Sequence, residues 1–419
     1  MAKIKQISSR EILNAKGEPT IETTVVLTDG AVGTSSVPSG TSVGKYEALE
    51  LKDNDPKRYN GKGVLNAISN IEKIITPLLV GVEANNQQEI DKKLIEIDGS
   101  KTKSKLGANA ILSVSMSAAK AAAKSLSLPL FLYLREYIKS AGSQFKIPTP
   151  LFNILNGGKH GEGNLDFQEF LVIPATSKKY SESLELGTNV YLVLKKLLQT
   201  NNMSPLLGLE GGFAPKLSTN LDALLLIKQS IEQSNLRVGF DMFIGLDSAS
   251  DNFFDEGNYR LKDRSTVFSS QELIVFYTNL NNDYHLLYLE DGLSQDDWEG
   301  WQNLSKAMSA QTIIVGDDLI ATNPFRLQEA IAKRAITGVV IKPNQIGTVM
   351  EALAVSEMAR QAGLKIIVSH RSGETNDDFI ADFAVAVSSD YVKFGAPARG
   401  ERVAKYNRLL EIENQIKSP

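Results

Sequence analysis

Between Met242 and Pro397 one phrase recurs: a short apolar run closed at once by a charged residue or a histidine. The runs end at Asp247, Glu290, Asp317, Lys342, His370-Arg371 and Lys393, and successive endings lie 43, 27, 25, 28 and 23 residues apart. That is about the length of a buried strand, a returning helix and two loops. Continuous Val/Ile/Leu runs suit strands covered on both faces, as in a parallel sheet wrapped by helices. Charge cannot sit inside such a run, so it marks the point where the strand leaves the core. In a barrel these C-terminal strand ends converge on one mouth, where barrel enzymes place their chemistry. A single charged ending needs no meaning beyond a strand terminus. Six, carrying metal-ligating and proton-transferring side chains, predict a barrel with a site at its rim.

A chain of 419 residues accommodates a barrel of roughly 250 residues and a second, smaller domain. With 42% hydrophobic and 22% charged residues, the composition is that of a folded globular protein and argues against disorder. Net charge is −4 and no block of basic residues occurs, which speaks against a nucleic-acid partner. The N-terminus lacks the apolar stretch of a secretory signal and no run approaches roughly 18 apolar residues, so no membrane span and a cytoplasmic location are expected. There is no cysteine, which removes disulfides, thiolate metal sites and cysteine nucleophiles together. A three-histidine zinc site would need all of His160, His285 and His370, and His285 lies in a polar segment before a strand. Hard-cation binding by carboxylates is the better expectation.

The first 65 residues read as a meander of strands, with Ile21 to Leu27 meeting the turn signal Asp29-Gly30 before Ala31 to Val37. Helical periodicity then appears in Val64 to Val80, Asn86 to Ile97, Ala108 to Leu126 and Leu130 to Ile138. Strands followed by helices make an α+β unit, and the alanine-rich 118–123 run predicts a close-packed helix face. Ala141 to Pro150 reads as a linker, dividing the chain into an α+β domain at 1–140 and a barrel domain at 141–419. In the latter, Ser270 to Asn279, Trp298 to Met308, Asn323 to Ala335, Gly347 to Ala362 and Asp377 to Val387 are helical stretches between the apolar runs. The predicted class is α/β, a TIM-type barrel behind a smaller α+β unit.

Asp247, Glu290 and Asp317 end three successive barrel strands and suit one octahedral Mg²⁺, with positions left for water and substrate. Lys342 and Lys393 stand on the closing strands. A divalent charge about 6 Å away at an effective dielectric of about 20 contributes roughly 5 kcal/mol, about 4 pKa units, enough to bring a lysine from about 10.4 toward neutrality. Lys342 would then accept a proton while Lys393 stays a cation facing an anionic substrate. Two glycine-rich stretches add candidates: Asn156 to Gly163, followed by Gln168-Glu169, and Gly208 to Pro215 around Glu210. The run Pro38 to Lys45 only superficially resembles a phosphate loop, since Ser39 takes the place of the first glycine and Tyr46 that of Ser/Thr.

These motifs together resemble the enolase family, whose members interconvert 2-phosphoglycerate and phosphoenolpyruvate in glycolysis. The matching runs are Ser-Arg-Glu-Ile-Leu at 9–13, Val-Pro-Ser-Gly at 37–40, Lys-Ser-Lys-Leu-Gly-Ala-Asn at 103–109 and Glu-Gly-Gly-Phe-Ala-Pro at 210–215. Glu-Asp-Gly at 290–292, Ile-Lys-Pro-Asn-Gln-Ile-Gly-Thr at 341–348 and Ser-His-Arg-Ser-Gly-Glu-Thr at 369–375 complete them, spanning about Ile4 to Ile416. The resemblance implies a modified (β/α)8 TIM-type barrel whose first strands depart from simple alternation, preceded by a smaller α+β N-terminal capping domain. It implies that Asp247, Glu290 and Asp317 bind a first Mg²⁺ and that Ser42, on a flap, binds a second arriving with substrate. It assigns Lys342 as the base removing the C2 proton and Glu210 as the acid at the C3 hydroxyl, supported by Glu169 and Gln168. Arg371 and Ser372 would contact phosphate, Lys393 the substrate carboxylate, and His160 and His370 would complete the pocket. A homodimer, or an octamer built as a tetramer of dimers, is the assembly the family implies.

Four positions depart from the family pattern. Ala15-Lys16 replaces a usual Ser-Arg, Val43 a usual Thr beside the flap ligand, and Leu209 an acidic residue just before Glu210. Leucine there removes a like charge, which lowers the Glu210 pKa, and adds desolvation, which raises it. Leu209 is also the one feature that favours a rival reading, a catalytically weakened paralogue acting as a binding or surface-interaction protein. A different lyase or an isomerase of the superfamily would not need the phosphate pair Arg371-Ser372, and a structural metal protein would not need two lysines in the mouth. The expected outcome is that activity survives and that Leu209→Asp displaces the acid limb of the kcat–pH profile; an unmoved profile would remove Leu209 from any part in setting it.

Overall fold

The computed structural model describes residues 2–40, 44–140, 142, 144–161 and 163–417. Strands β1 (Ile4–Leu13), β2 (Pro19–Leu27) and β3 (Val32–Ser36) form an antiparallel sheet in that order. Ile21, Thr23, Val25 and Leu27 alternate inward along β2 and are buried, as a strand with one covered face requires. The cover is the helix Ala108–Ser125, and its small side chains serve close approach as expected. A Cβ added to Gly33 of β3 would lie 2.2 Å from the Ser117 carbonyl oxygen and 2.3 Å from the Ala121 nitrogen. Ser117 Oγ donates to the Thr23 carbonyl at 2.7 Å, tying helix to sheet.

The strand meander ends earlier than the sequence suggests. Among the described residues between Val37 and Val64 only an isolated bridge, Ser39 to Gly373, has strand character. This stretch carries Pro38, Pro56 and several glycines, and it lacks the alternation that pays for a strand's entropy. It runs instead across the barrel: the Ala48 amide donates to the Gln345 carbonyl at 2.8 Å.

The barrel is closed by eight strands: β4 (Thr149–Asn156), β5 (Glu169–Pro174), β6 (Met242–Asp247), β9 (Leu286–Glu290), β10 (Ile313–Gly316), β11 (Gly338–Ile341), β12 (Lys365–Ser369) and β13 (Tyr391–Lys393). A two-stranded hairpin of β7 (Phe254–Asp255) and β8 (Asn258–Tyr259) lies in the loop after β6. β4 leads directly into β5, which pairs antiparallel with both β4 and β6, and the other barrel pairs are parallel. Two helices, Tyr180–Thr200 and Asn220–Gln233, then precede β6, after which helix and strand alternate. This is the departure from simple alternation that the resemblance implied. Leu151, Leu171, Ile173, Tyr288, Val315, Val340, Ile367 and Tyr391 fill the interior, so the barrel is a packed core with its site confined to the mouth.

A buried carboxylate joins the N-terminal helices to the barrel. Asp91, on the helix Gln87–Asp98, accepts from Ser115 Oγ at 2.6 Å and Gln87 Nε2 at 2.9 Å, and its other oxygen accepts the Met350 amide at 2.8 Å in the first turn of Val349–Gln361. Burial pushes the carboxyl up to about 7, against the pull of these hydrogen bonds. With the folded value above the unfolded one, the protonated acid is the form the fold prefers, and its contribution is lost as pH rises toward about 7. The urea midpoint of Asp91→Asn, measured from about pH 4 to 8, is therefore expected to gain on the wild type up to about pH 7 and to run parallel above it.

Candidate active site

Each predicted barrel run ends at the mouth because parallel strands share one direction. Asp247 closes β6, Glu290 closes β9, Asp317 follows β10, Lys342 follows β11, His370 and Arg371 follow β12, and Lys393 closes β13. Glu169 reaches the same mouth by the opposite route. β5 is antiparallel, so its first residue, not its last, lies beside Asn156 of β4 and Asp247 of β6. The loop carrying Glu210 is clamped along β4, with the Phe213 amide donating to the Ile154 carbonyl at 2.9 Å and the Asn156 amide to the Phe213 carbonyl at 2.8 Å. Its turn needs Gly211, at φ +86°.

Lys393 is the centre of charge. Its buried ammonium donates to Glu290 Oε1 at 2.7 Å and Asp247 Oδ2 at 3.2 Å and faces Glu169 Oε2 at 3.5 Å. Burial works against this charge, but the three carboxylates hold it well above the ordinary lysine value. Lys342, largely buried, donates to Asp317 Oδ2; burial lowers its pKa, and Asp317 more than reverses that. Gln345 Nε2 donates to Asp317 Oδ1 at 3.1 Å, and Gln168 Nε2 to Asp247 Oδ2 at 3.4 Å.

On the far side of the cavity, Glu210, Glu169 and His160 bring ligand-type atoms within 4.8 Å of one another. His160 Nδ1 stands 3.4 Å from Glu169 Oε1 and 3.6 Å from Glu210 Oε1. The two carboxyls diverge. Burial and the Glu210 charge push Glu169 up to about 7. Burial also raises Glu210, but His160, His370 and Arg402 outweigh it and hold its carboxyl well below the usual range. Asn153 Nδ2 and His370 Nε2 both reach Glu210 Oε2 at 3.1 Å. At the cavity's other end Arg371 pairs with Glu47, at 2.8 Å and 3.3 Å, and reaches Asn344 Oδ1 at 3.2 Å.

The family model described as enolase, C-terminal TIM barrel domain, matches residues 144–419, and the one described as enolase, N-terminal domain, matches residues 4–134. The chain belongs to the enolase family. It is 46% identical over 418 residues to the enolase of Helicobacter pylori strain ATCC 700392 / 26695, covering 100% of this chain and 97% of that protein. Against the enolase of strain J99 / ATCC 700824 the identity is 45% with the same coverage. As a family member the chain is a carbon–oxygen lyase, a phosphopyruvate hydratase. No helix among the described residues is long and apolar enough to cross a membrane.

Seen as an enolase, the site contains several groups that strand endings alone did not announce. Asp291 lies at φ +44° directly after Glu290, and its two oxygens accept the amides of Asp317, at 3.0 Å, and Asp318, at 2.8 Å. Ligand-type atoms of Asp247, Glu290 and Asp291 lie within 4.8 Å of one another, as do those of Asp291, Asp317 and Asp318. The expected metal set is thus spread over two overlapping groups that share Asp291. The doubled acids Glu290-Asp291 and Asp317-Asp318 were the sequence signal for it. Asn153 and Glu47 carried no such signal. His285 is exposed and ends the helix Ser270–Tyr284 at φ +53°, away from any such group. Ser42 and Val43 fall outside the described residues.

The donor chemistry fits a hard divalent cation. Around Asp291 all the available ligands are carboxylate oxygens, and burial together with mutual repulsion raises Glu290 and Asp291 well above the carboxylate range and Asp318 to about 7. Lys342 and Lys393 are too few to neutralise them. Replacing Lys393 by the similar-sized Met leaves Asp247, Glu290 and Glu169 without their shared cation. A loss of about 3–5 kcal/mol is expected, read as a lower urea midpoint in metal-free buffer, because breaking a buried pair strands its charge.

Proposed function

We propose that this enolase catalyses the reversible, Mg²⁺-dependent dehydration of 2-phosphoglycerate to phosphoenolpyruvate. The observation that carries the reading is that Lys342 and the Glu169–Glu210 pair line one cavity, with Arg371 and Lys393 beside them. A base and an acid across one substrate is what removal of a proton and a hydroxyl from adjacent carbons requires. Lys342 takes the C2 proton. Its ammonium is held charged by Asp317, so it becomes a base when that carboxylate is engaged elsewhere and the interaction raising its pKa is lost. Asp247, Glu290 and Asp317 would hold the first Mg²⁺ and Ser42 a second that arrives with substrate. Bound there, Mg²⁺ would supply fixed positive charge for the enediolate, the pattern established for this superfamily.

Glu210 passes a proton to the departing C3 hydroxyl, and that proton comes from Glu169, whose carboxyl is pushed up to about 7, beside His160. Gln168 steadies this end through Asp247. Lys393 faces the substrate carboxylate, and Arg371 and Ser372 the phosphate, with His370 closing the pocket. For Arg371 this means exchanging the Glu47 carboxylate for phosphate, one anion for another. We further assign 1–140 as the capping domain and 141–419 as the barrel domain, a cytoplasmic location, and assembly as a homodimer or a tetramer of dimers.

The test follows the absorbance of phosphoenolpyruvate formed from 2-phosphoglycerate with and without Mg²⁺. Turnover that needs Mg²⁺ is expected. Lys342→Ala and Glu210→Gln should each lower kcat by about 10²–10⁴-fold, the range of general acid–base catalysis. Exchange of the C2 proton with solvent separates the two, being lost in Lys342→Ala and kept in Glu210→Gln. A metal-independent rate, or exchange surviving without Lys342, would overturn these assignments.

A further inference from the structure

Arg402, fully buried in the first turn of the helix Gly400–Lys417, faces the back of the active site rather than its cavity. Its two terminal nitrogens meet four acceptors: His370 Nδ1 at 2.7 Å, the Arg371 carbonyl at 2.5 Å, the Ser372 carbonyl at 2.6 Å and the Leu209 carbonyl at 3.4 Å. One side chain thereby ties the loop carrying Glu210 to the loop carrying His370 and Arg371. Gly395, at φ +85°, presses on both partners, since a Cβ there would lie 2.9 Å from His370 Cε1 and 3.2 Å from Arg402 Cδ.

A guanidinium has only donors, and it stays charged at any pH a protein survives. The His370 nitrogen it meets must therefore present a lone pair, which places the ring proton on Nε2. Nε2 is the atom 3.1 Å from Glu210 Oε2, so the proton points at that oxygen. Asn153 Nδ2 donates to the same oxygen, also at 3.1 Å. A carboxylate oxygen has two lone pairs, and two N–H donors occupy both.

We infer that Arg402 is a positioning residue that locks His370 as the neutral Nε2–H tautomer, saturates Oε2 of Glu210 and leaves Oε1 as the oxygen through which the catalytic proton passes. The inference rests on the assignment of Glu210 as the acid. Oε1 is the oxygen on the His160 side, 3.6 Å from Nδ1, where Glu169 also stands. His370 is then a fixed donor that does not exchange protons during turnover. The depression of its pKa to about 4, by burial and opposed only in part by Glu210, accords with that role.

Uniform ¹⁵N-histidine labelling of the full chain tests this, since three histidines make an assignable spectrum. Long-range ¹H–¹⁵N correlation at neutral pH is expected to show His370 with a protonated Nε2 and an acceptor-type Nδ1. In Arg402→Met the tautomers should mix, with kcat lower by about 10²-fold and KM changed less than about threefold, and Arg402→Lys should recover part of kcat. A purely structural role would instead reduce the folded fraction and leave the tautomer and the kcat per folded site unmoved, overturning the inference. If Arg402→Met does not fold, the wild-type spectrum still decides, because a protonated or mixed Nδ1 there overturns the inference alone and leaves Glu210 as the acid. Wild-type kcat in Glu210→Gln would remove the acid assignment, and with it the role of Oε1.

Discussion

One ammonium among three carboxylates organises the mouth of this barrel. Lys393 stands on the last strand, and its partners come from β5, β6 and β9, across the line where β13 meets β4 and the barrel closes. Removing charge from water is costly, and a buried group of this kind persists only where each member is paired. The pairing therefore demands a register: the strands must end level with one another for one nitrogen to reach all three acids. Asp247 pairs in register with Glu169 on one side and Glu290 on the other, which is that condition met.

The reversed strand β5 has a consequence for chemistry. In a uniform parallel barrel every mouth residue arrives at a strand's end and leads into a helix. Here Glu169 arrives at a strand's beginning, after the glycine-rich loop that holds His160. Glu210 comes from a second loop laid along β4. An imidazole and two carboxylates are thus crowded on one flank, while the strand-end acids and Lys342 occupy the other. Burial and the Glu210 charge push Glu169 up while, against burial, His160, His370 and Arg402 hold Glu210 down, so the two carboxyls move in opposite directions.

Much of this was legible in the chain. The six apolar runs became strands β6 and β9 to β13, with the charged endings at the mouth, because period and burial are local properties of a strand. Trp298–Met308 and the Ala-rich helix Ala108–Ser125 were equally plain. The described residues between Val37 and Val64 do not continue the expected strand meander, and the helices Tyr180–Thr200 and Asn220–Gln233 have no counterpart in the repeating phrase. β5 escaped the repeating phrase because its functional residue comes first. Leu209, conspicuous in sequence, contributes its backbone: its carbonyl accepts from Arg402 and its amide donates to the His160 carbonyl at 3.0 Å.

By itself the sequence determined the barrel, the oxygen-rich character of its mouth and the residue types available for proton transfer, since these follow from local periodicity, composition and ordered motifs. Only the tertiary structure decided which groups meet. The bridging place of Asp291, the pairing of Arg371 with Glu47 and the grip of Arg402 on His370 join residues distant along the chain. Such contacts depend on how strands are staggered and which way one of them runs, and no local pattern encodes either.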